Sequence, residues 1–223
     1  FFNVPATTEI SLLSLPGAIP VWGVVDRSEV PQLQGPHNAQ FRDMAFSPYG
    51  NLLATANNNG TVTVWDFKKR QTAIVLKGHS SPVTGLAFGP QGARLVSVGL
   101  NDKTLKLWDR RTGLLQRTFS GHADYAESGR FSPDGKRMVS SSSDQTCKVW
   151  NVATGEEILT LTGHSGHVHS ACFSPDGKRI VSGGGNVGQS GQIKIWDAQS
   201  GEEVLAVDGH SNRVWSVAFH PDG

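Results

Sequence analysis

The sequence predicts an all-β fold, a β-propeller made of four-stranded antiparallel blades, and three sets of markers predict it. His37, His79, His122, His164 and His210 step along the chain by 42, 43, 42 and 46 residues. Trp65, Trp108, Trp150 and Trp196 step by 43, 42 and 46. The glycines Gly50, Gly92, Gly135, Gly177 and Gly223 step by 42, 43, 42 and 46. All three sets lengthen together in the last full unit, so one period governs them. A repeat of about 40–45 residues carrying Gly-His and Trp-Asp marks is the signature of propeller blades.

Taken in order, residues 1–36 read as a degenerate partial blade. Trp22 stands 43 residues before Trp65, which makes 18–25 a third strand, with 30–34 a fourth and 9–15 a second. Four complete blades follow, over 37–78, 79–121, 122–163 and 164–209, the last with a loop insertion at 183–191. Residues 210–223 read as the first strand of a truncated blade, at 214–219. The unit 122–163 shows the pattern best, with strands at 127–131, 137–141, 146–150 and 157–161. Its first two strands join through Ser132-Pro133-Asp134-Gly135, where Pro presets φ and Gly accepts a positive one. Asn59-Gly60 is a two-residue hairpin signal. Val62-Thr63-Val64 and Ile193-Lys194-Ile195 alternate as strands do. No amphipathic helix is predicted.

Composition narrows the function classes. With 20 basic and 19 acidic residues in 223, the chain has no net field to steer nucleic acid or an anionic membrane. No apolar run reaches membrane-span length. Cys147 and Cys172 sit in apolar strand patterns and read as buried free thiols, which suits a reducing, cytoplasmic setting. No Met precedes Phe1, so the natural N-terminus stays open.

On these marks the chain resembles the WD-repeat (tryptophan–aspartate) family of β-propellers, over about 190 residues and more weakly before residue 35. Members of that family usually close as seven blades. The resemblance therefore implies either an incomplete arc of a larger ring, which is favoured, or end strands that share one fifth blade. It also implies a polar network of His, Ser or Thr, Asp and Trp in each blade. His122, Ser140, Asp144 and Trp150 match it, as do His79, Ser97, Asp102 and Trp108. In the first complete blade His37, Thr55 and Trp65 match and Asn59 replaces the carboxylate. In the fourth His164, Ser182 and Trp196 match, and Ser190 falls where Asp belongs. A Ser-His-Asp set also suggests a protease, but its recurrence in every blade, with no favoured copy, reads as scaffolding. No catalytic residue is assigned, and the chain is not expected to be an enzyme.

Other motifs were weighed for chemistry. Gly183 to Gly188 spells a dinucleotide fingerprint, but a strand at 192–196 follows where that motif needs a helix, so no cofactor is expected. Instead the insertion is expected to project from the ring as a partner contact. His164, His167 and His169 lack the further ligands of a closed metal site, and no metal is expected. Asn59-Gly60-Thr61 reads as a hairpin turn rather than a glycosylated sequon, and Lys68-Lys69-Arg70 as a solvated basic tip.

The family commonly binds peptides or proteins on one face, through residues at the start of each first strand and just before the network Asp. Carried over, these are Gln40, Arg42 and Asn58; Pro82, Thr84 and Asn101; Tyr125, Glu127 and Ser143; His167, His169 and Gln189; Arg213 and Trp215. Trp215 and Tyr125 are the expected anchors, since aromatics and Arg dominate interface energetics. The reading is a non-catalytic scaffold binding protein or peptide partners, with no nucleic acid or membrane. Two alternatives stand beside it: a regulatory portion of a larger enzyme or signalling protein, and a structural tile of a large assembly.

Overall fold

The computed structural model describes residues 41–66, 68, 69 and 71–223 in full, and the strands at 18–22 and 29–34 by their backbone. The expected strand at 9–15, along with His37, Gln40 and Arg70, lies outside the described residues. The chain divides into two compact units, Phe1–Ala39 and Gln40–Gly223. In the first, β1 (Ala18–Trp22) pairs antiparallel with β2 (Glu29–Gln34).

The second unit holds four sheets, each a four-stranded antiparallel meander in chain order. The first contains β3 (Phe41–Phe46), β4 (Leu52–Asn57), β5 (Thr61–Asp66) and β6 (Gln71–Lys77). The second contains β7 (Val83–Phe88), β8 (Arg94–Gly99), β9 (Thr104–Asp109) and β10 (Leu115–Ser120). The third contains β11 (Ala126–Phe131), β12 (Arg137–Ser142), β13 (Thr146–Asn151) and β14 (Glu157–Thr162). The fourth contains β15 (Val168–Phe173), β16 (Arg179–Gly184), β17 (Gly191–Asp197) and β18 (Glu203–His210). These are propeller blades. Among the described residues there is no helix, and none is long and apolar enough to cross a membrane.

The apolar core lies between blades rather than within them. Val62, Val64 and Leu76 of the first blade pack with Val83, Leu95 and Trp108 of the second. Val98, Leu105 and Phe119 meet Ala126, Met138 and Trp150, and Cys147, Val149 and Leu161 meet Val168, Ile180 and Trp196. A lone four-stranded sheet has two faces to cover, so stacking is what makes each blade stable. The Gly of three Gly-His pairs, Gly78, Gly121 and Gly163, lies against the next blade's tryptophan and serves that packing. A Cβ at Gly78 would come within 2.9 Å of the Trp108 ring.

First strands adjoin one another, β3 beside β7, β7 beside β11 and β11 beside β15. Side chains stitch them across blades. Asp43 Oδ2 accepts Leu86 N–H at 2.8 Å, and Ser128 Oγ accepts Ala171 N–H at 3.3 Å. Each first strand also slips register once, and the skipped residues are Arg42, Thr84, Glu127 and His169. Such bulges re-aim a side chain away from the ladder.

Two expectations need correction. Residues 214–219 are not a strand. No neighbouring strand pairs with them, and an extended segment without a ladder partner satisfies its amides elsewhere. Val214 N–H donates to Gly184 C=O at 3.2 Å, and Val217 N–H to Ser170 Oγ at 3.4 Å. The second correction concerns 183–191, which does not project as one insertion. Gly183 and Gly184 end β16, Gly191 begins β17, and only the residues between them form the loop. Their lack of side chains lets the following segment dock. A Cβ at Gly183 would lie 2.6 Å from Val217 Cγ1 and 2.8 Å from Val214 Cγ1, and one at Gly191 2.3 Å from Asn212 O.

Candidate functional site

Two constellations arise from this frame, one inside each blade and one where the blades converge. Inside the third blade, Trp150 Nε1–H donates to Ser140 Oγ at 2.8 Å, and Ser140 Oγ lies 2.7 Å from His122 Nε2. His122 Nδ1 reaches Asp144 Oδ2 at 2.9 Å. With the hydroxyl proton given to Nε2, the ring donates Nδ1–H to the carboxylate, and every buried polar group has a partner. The second blade repeats this with Trp108 to Ser97 at 2.7 Å, Ser97 to His79 at 2.8 Å and His79 to Asp102 at 2.8 Å. The carboxylate also accepts the N–H of the residue after each His, Ser80 in one blade and Ala123 in the other.

The other two blades depart from the pattern. In the first, Trp65 Nε1–H donates to Thr55 Oγ1 at 3.2 Å. Asn59 keeps only the turn-closing half of the Asp role, accepting from Thr61 N–H at 3.1 Å and Thr61 Oγ1 at 2.7 Å. In the fourth, Trp196 to Ser182 at 2.8 Å and Ser182 to His164 at 2.6 Å are present. The acceptor is not Ser190 but Gln192, whose Oε1 takes Ser165 N–H at 3.1 Å, and His164 Nδ1 is buried without a partner. Gln192 was not singled out in the sequence because it sits two positions past the aligned site. Its longer side chain reaches back.

Charge follows these contacts. Burial alone would raise the Asp144 carboxyl, but hydrogen bonds from Thr146, His122 and Ala123 hold it down at about 2. Asp102 is held at about 2 against burial by His79 and Thr104. Burial lowers His122 against the pull of Asp144, so the pair is neutral imidazole and carboxylate. His164, with no carboxylate, is pushed down to about 4 by burial and the Lys194 charge. Burial pushes Cys147 up to about 12, and raises the half-buried Cys172 less far, so neither thiol is primed for nucleophilic work.

The second constellation comes from the four bulges. Arg42, Thr84, Glu127 and His169, one per blade, line a cavity of about 390 Å³ together with Trp215, their counterpart in the following segment. Arg42 Nε–H donates to Asn58 Oδ1 at 2.8 Å, and Ser143 Oγ to Glu127 Oε1 at 2.9 Å. Thr84 Oγ1 donates to Ala126 C=O at 3.3 Å. Trp215 is 61 % exposed, its ring 4.6 Å from that of His169, with the Arg213 guanidinium 4.0 Å from its centroid. Tyr125 is exposed, Asn101 N–H is tied to Ser81 Oγ, Pro82 C=O accepts Leu100 N–H, and Gln189 bonds within its own loop to Asn186.

His167 and His169 rings lie 6.2 Å apart, while His164 Nε2 is engaged by Ser182. Among the described residues no group of three or more His, Cys, Asp or Glu side chains is placed to hold a metal ion.

Stacked four-stranded blades pinned by a His–Ser–Trp network define a β-propeller repeat protein. The family model described as "WD domain, G-beta repeat" matches residues 28–66, 70–109, 113–151, 155–197 and 201–223, and the chain belongs to that WD40 family. The matched units 70–109, 113–151 and 155–197 each start near a fourth strand and end with the next third strand, so they are out of phase with the sheets. The chain is similar to Retinoblastoma-binding protein 5 homolog of Drosophila melanogaster, 40 % identical over 24 % of this chain and 11 % of that protein. It is similar to human WD repeat and SOCS box-containing protein 1, 36 % identical over 37 % of this chain and 20 % of the relative. Nuclear distribution protein PAC1 of Mycosarcoma maydis is 39 % identical over 26 % of this chain and 13 % of its own length. The chain thus aligns with at most about a fifth of these curated relatives. Proteins of the family are generally non-catalytic scaffolds for protein–protein interaction.

Proposed function

We propose that this chain is a non-catalytic interaction module that holds a protein or peptide partner on the face where the bulged first strands converge. One observation carries the reading: equivalent positions from successive blades, Arg42, Thr84, Glu127, His169 and Trp215, turn into a single cavity. Their chemistry is mixed, with charged, hydroxyl, imidazole and indole groups. This is the composition of a recognition surface rather than of a core. The Ser-His-Asp sets supply no nucleophile. Each Ser is fully buried and shared with an indole N–H, and each His is turned to its own Asp.

The test compares partners retained by the intact protein with those retained when Trp215→Ala and Tyr125→Ala are combined. A control carries Ile158→Ala, an exposed change on β14. Selective loss of partners from the double variant is expected. Equal retention by all three proteins sinks the proposed face.

A further inference from the structure

The recognition face is chemically lopsided. Its loops over the fourth blade, residues 163–168, 184–192 and 209–215, contain Arg213 and the three histidines His164, His167 and His210 but no Asp or Glu. The second and third blades each place a carboxylate in the equivalent loop, Asp102 and Asp144, where the fourth has Ser190. The acids around this region are Glu127 on β11 and Asp43 on β3, which line the cavity, Asp208 within β18, and Glu203, which is paired with Lys194 beside Gly163.

Two groups here are ready to receive something. The Arg213 guanidinium rests on the Trp215 ring and takes no hydrogen-bond acceptor among the described residues. A guanidinium fixed on an aromatic ring loses little freedom when it forms its two-pronged bond to a carboxylate. His169 is 8 % exposed and lines the cavity, and neither ring nitrogen makes a hydrogen bond of good geometry, with the Gly185 backbone as a weaker polar contact. Leaving buried polar nitrogens unpaired is costly, so a ligand that pairs them is favoured.

The backbone is shaped for this arrangement. Gly183, Gly185 and Gly191 leave no room for a Cβ against Val214, Arg213 and Asn212, which seats the segment bearing Arg213 and Trp215 beside β15.

We infer that the partner segment held here is an acidic peptide, its Asp or Glu carboxylates taken by Arg213 and the histidines and an apolar side chain laid on Trp215. The inference rests on the proposed recognition face and names its ligand class. Binding such a peptide takes up a proton. The groups facing His169 are His167 on its own strand, Arg213 on the docked segment and Glu127 on β11, and burial keeps the free ring below its ordinary value. An added carboxylate raises its proton affinity, so binding strengthens as pH falls through the imidazole range.

The probe is a fluorescent peptide of alternating Glu and Leu, read by anisotropy on the whole chain, beside a Gln-for-Glu version and a phosphoserine-for-Glu version. Expected results are binding of the Glu peptide, loss of about tenfold or more with Arg213→Gln, partial rescue by Arg213→Lys, and weakening with added salt. Tighter binding at about pH 6 than at about pH 7.5 should vanish in His169→Gln. Absence of Glu-peptide binding, equal binding of the Gln version, indifference to Arg213→Gln, or binding of the phosphoserine version alone each overturns the inference. If Trp215→Ala with Tyr125→Ala strips partners while the Glu peptide is ignored, the face stands and only its ligand class is wrong.

Discussion

Replacing Gln192 by Glu isolates what the missing carboxylate does in the fourth blade. Gln192 Oε1 already sits where Asp144 and Asp102 sit in their blades, accepting the N–H of the residue after the His. The substitution keeps that oxygen and adds a negative charge to the residue that holds Ser165, the chain neighbour of His164, whose Nδ1 is an orphan. An opposite charge a few ångströms from an imidazole raises its pKa by about 1–3 units, so His164 should move up from about 4. Pairing a buried orphan donor recovers about 1–3 kcal/mol. Gln192 is half-buried, so solvent screening puts the expected gain at the lower end, about 1 kcal/mol at neutral pH. The assay is an NMR titration of the His164 ring in both proteins, with urea unfolding in parallel. A His164 pKa that stays near 4, together with unchanged stability, refutes the assignment of Gln192 to this role.

Ser140→Ala strands the Trp150 indole N–H and His122 Nε2 together, at about 1–3 kcal/mol per orphaned group, read as a lower urea midpoint with an unchanged slope. Acidification should weaken the fold in two stages. His164 has a depressed folded pKa, so the unfolded chain binds a proton that the folded chain refuses. Its contribution is complete above 6.5 and is lost as pH falls from there to about 4, at up to about 1.4 kcal/mol per pH unit. Asp102 and Asp144 are likewise depressed, so their contribution is complete above 3.8 and is lost as pH falls toward 2. A melting temperature that is flat from pH 7 to pH 4 contradicts the first stage. Gly183→Ala should raise hydrogen exchange over 212–219 by displacing Val214 and Val217, while exchange in β11–β14 stays unchanged.

Much of this was legible in the sequence because periodicity is a backbone property. The His, Trp and turn-Gly spacings locate four sheets within a residue or two of the observed strands, and the network partners follow from alignment. What the sequence hid depends on side-chain reach and on pairing. Gln192 aligns two positions away from the role it fills, and only its length brings its oxygen back. The apolar alternation at 214–219 is strand-like, yet a strand needs a neighbour, and this segment docks on glycines instead. Alignment put Arg42, Thr84, Glu127 and His169 on one face, but the bulges that turn them into one cavity leave no mark in residue type. Cys172, read as buried, is half-buried, with its Sγ 3.7 Å from Val217 O of the docked segment.

Four equivalent indoles are locked by a hydroxyl in successive blades, while Trp215 stands exposed. Hydrogen exchange of the indole N–H groups, resolved one tryptophan at a time, tests it most directly. Slow exchange is predicted at Trp65, Trp108, Trp150 and Trp196, whose Nε1–H donates to Thr55, Ser97, Ser140 and Ser182, with fast exchange at Trp215. Four indoles that exchange at dissimilar or unprotected rates, or a Trp215 as slow as the rest, would contradict it.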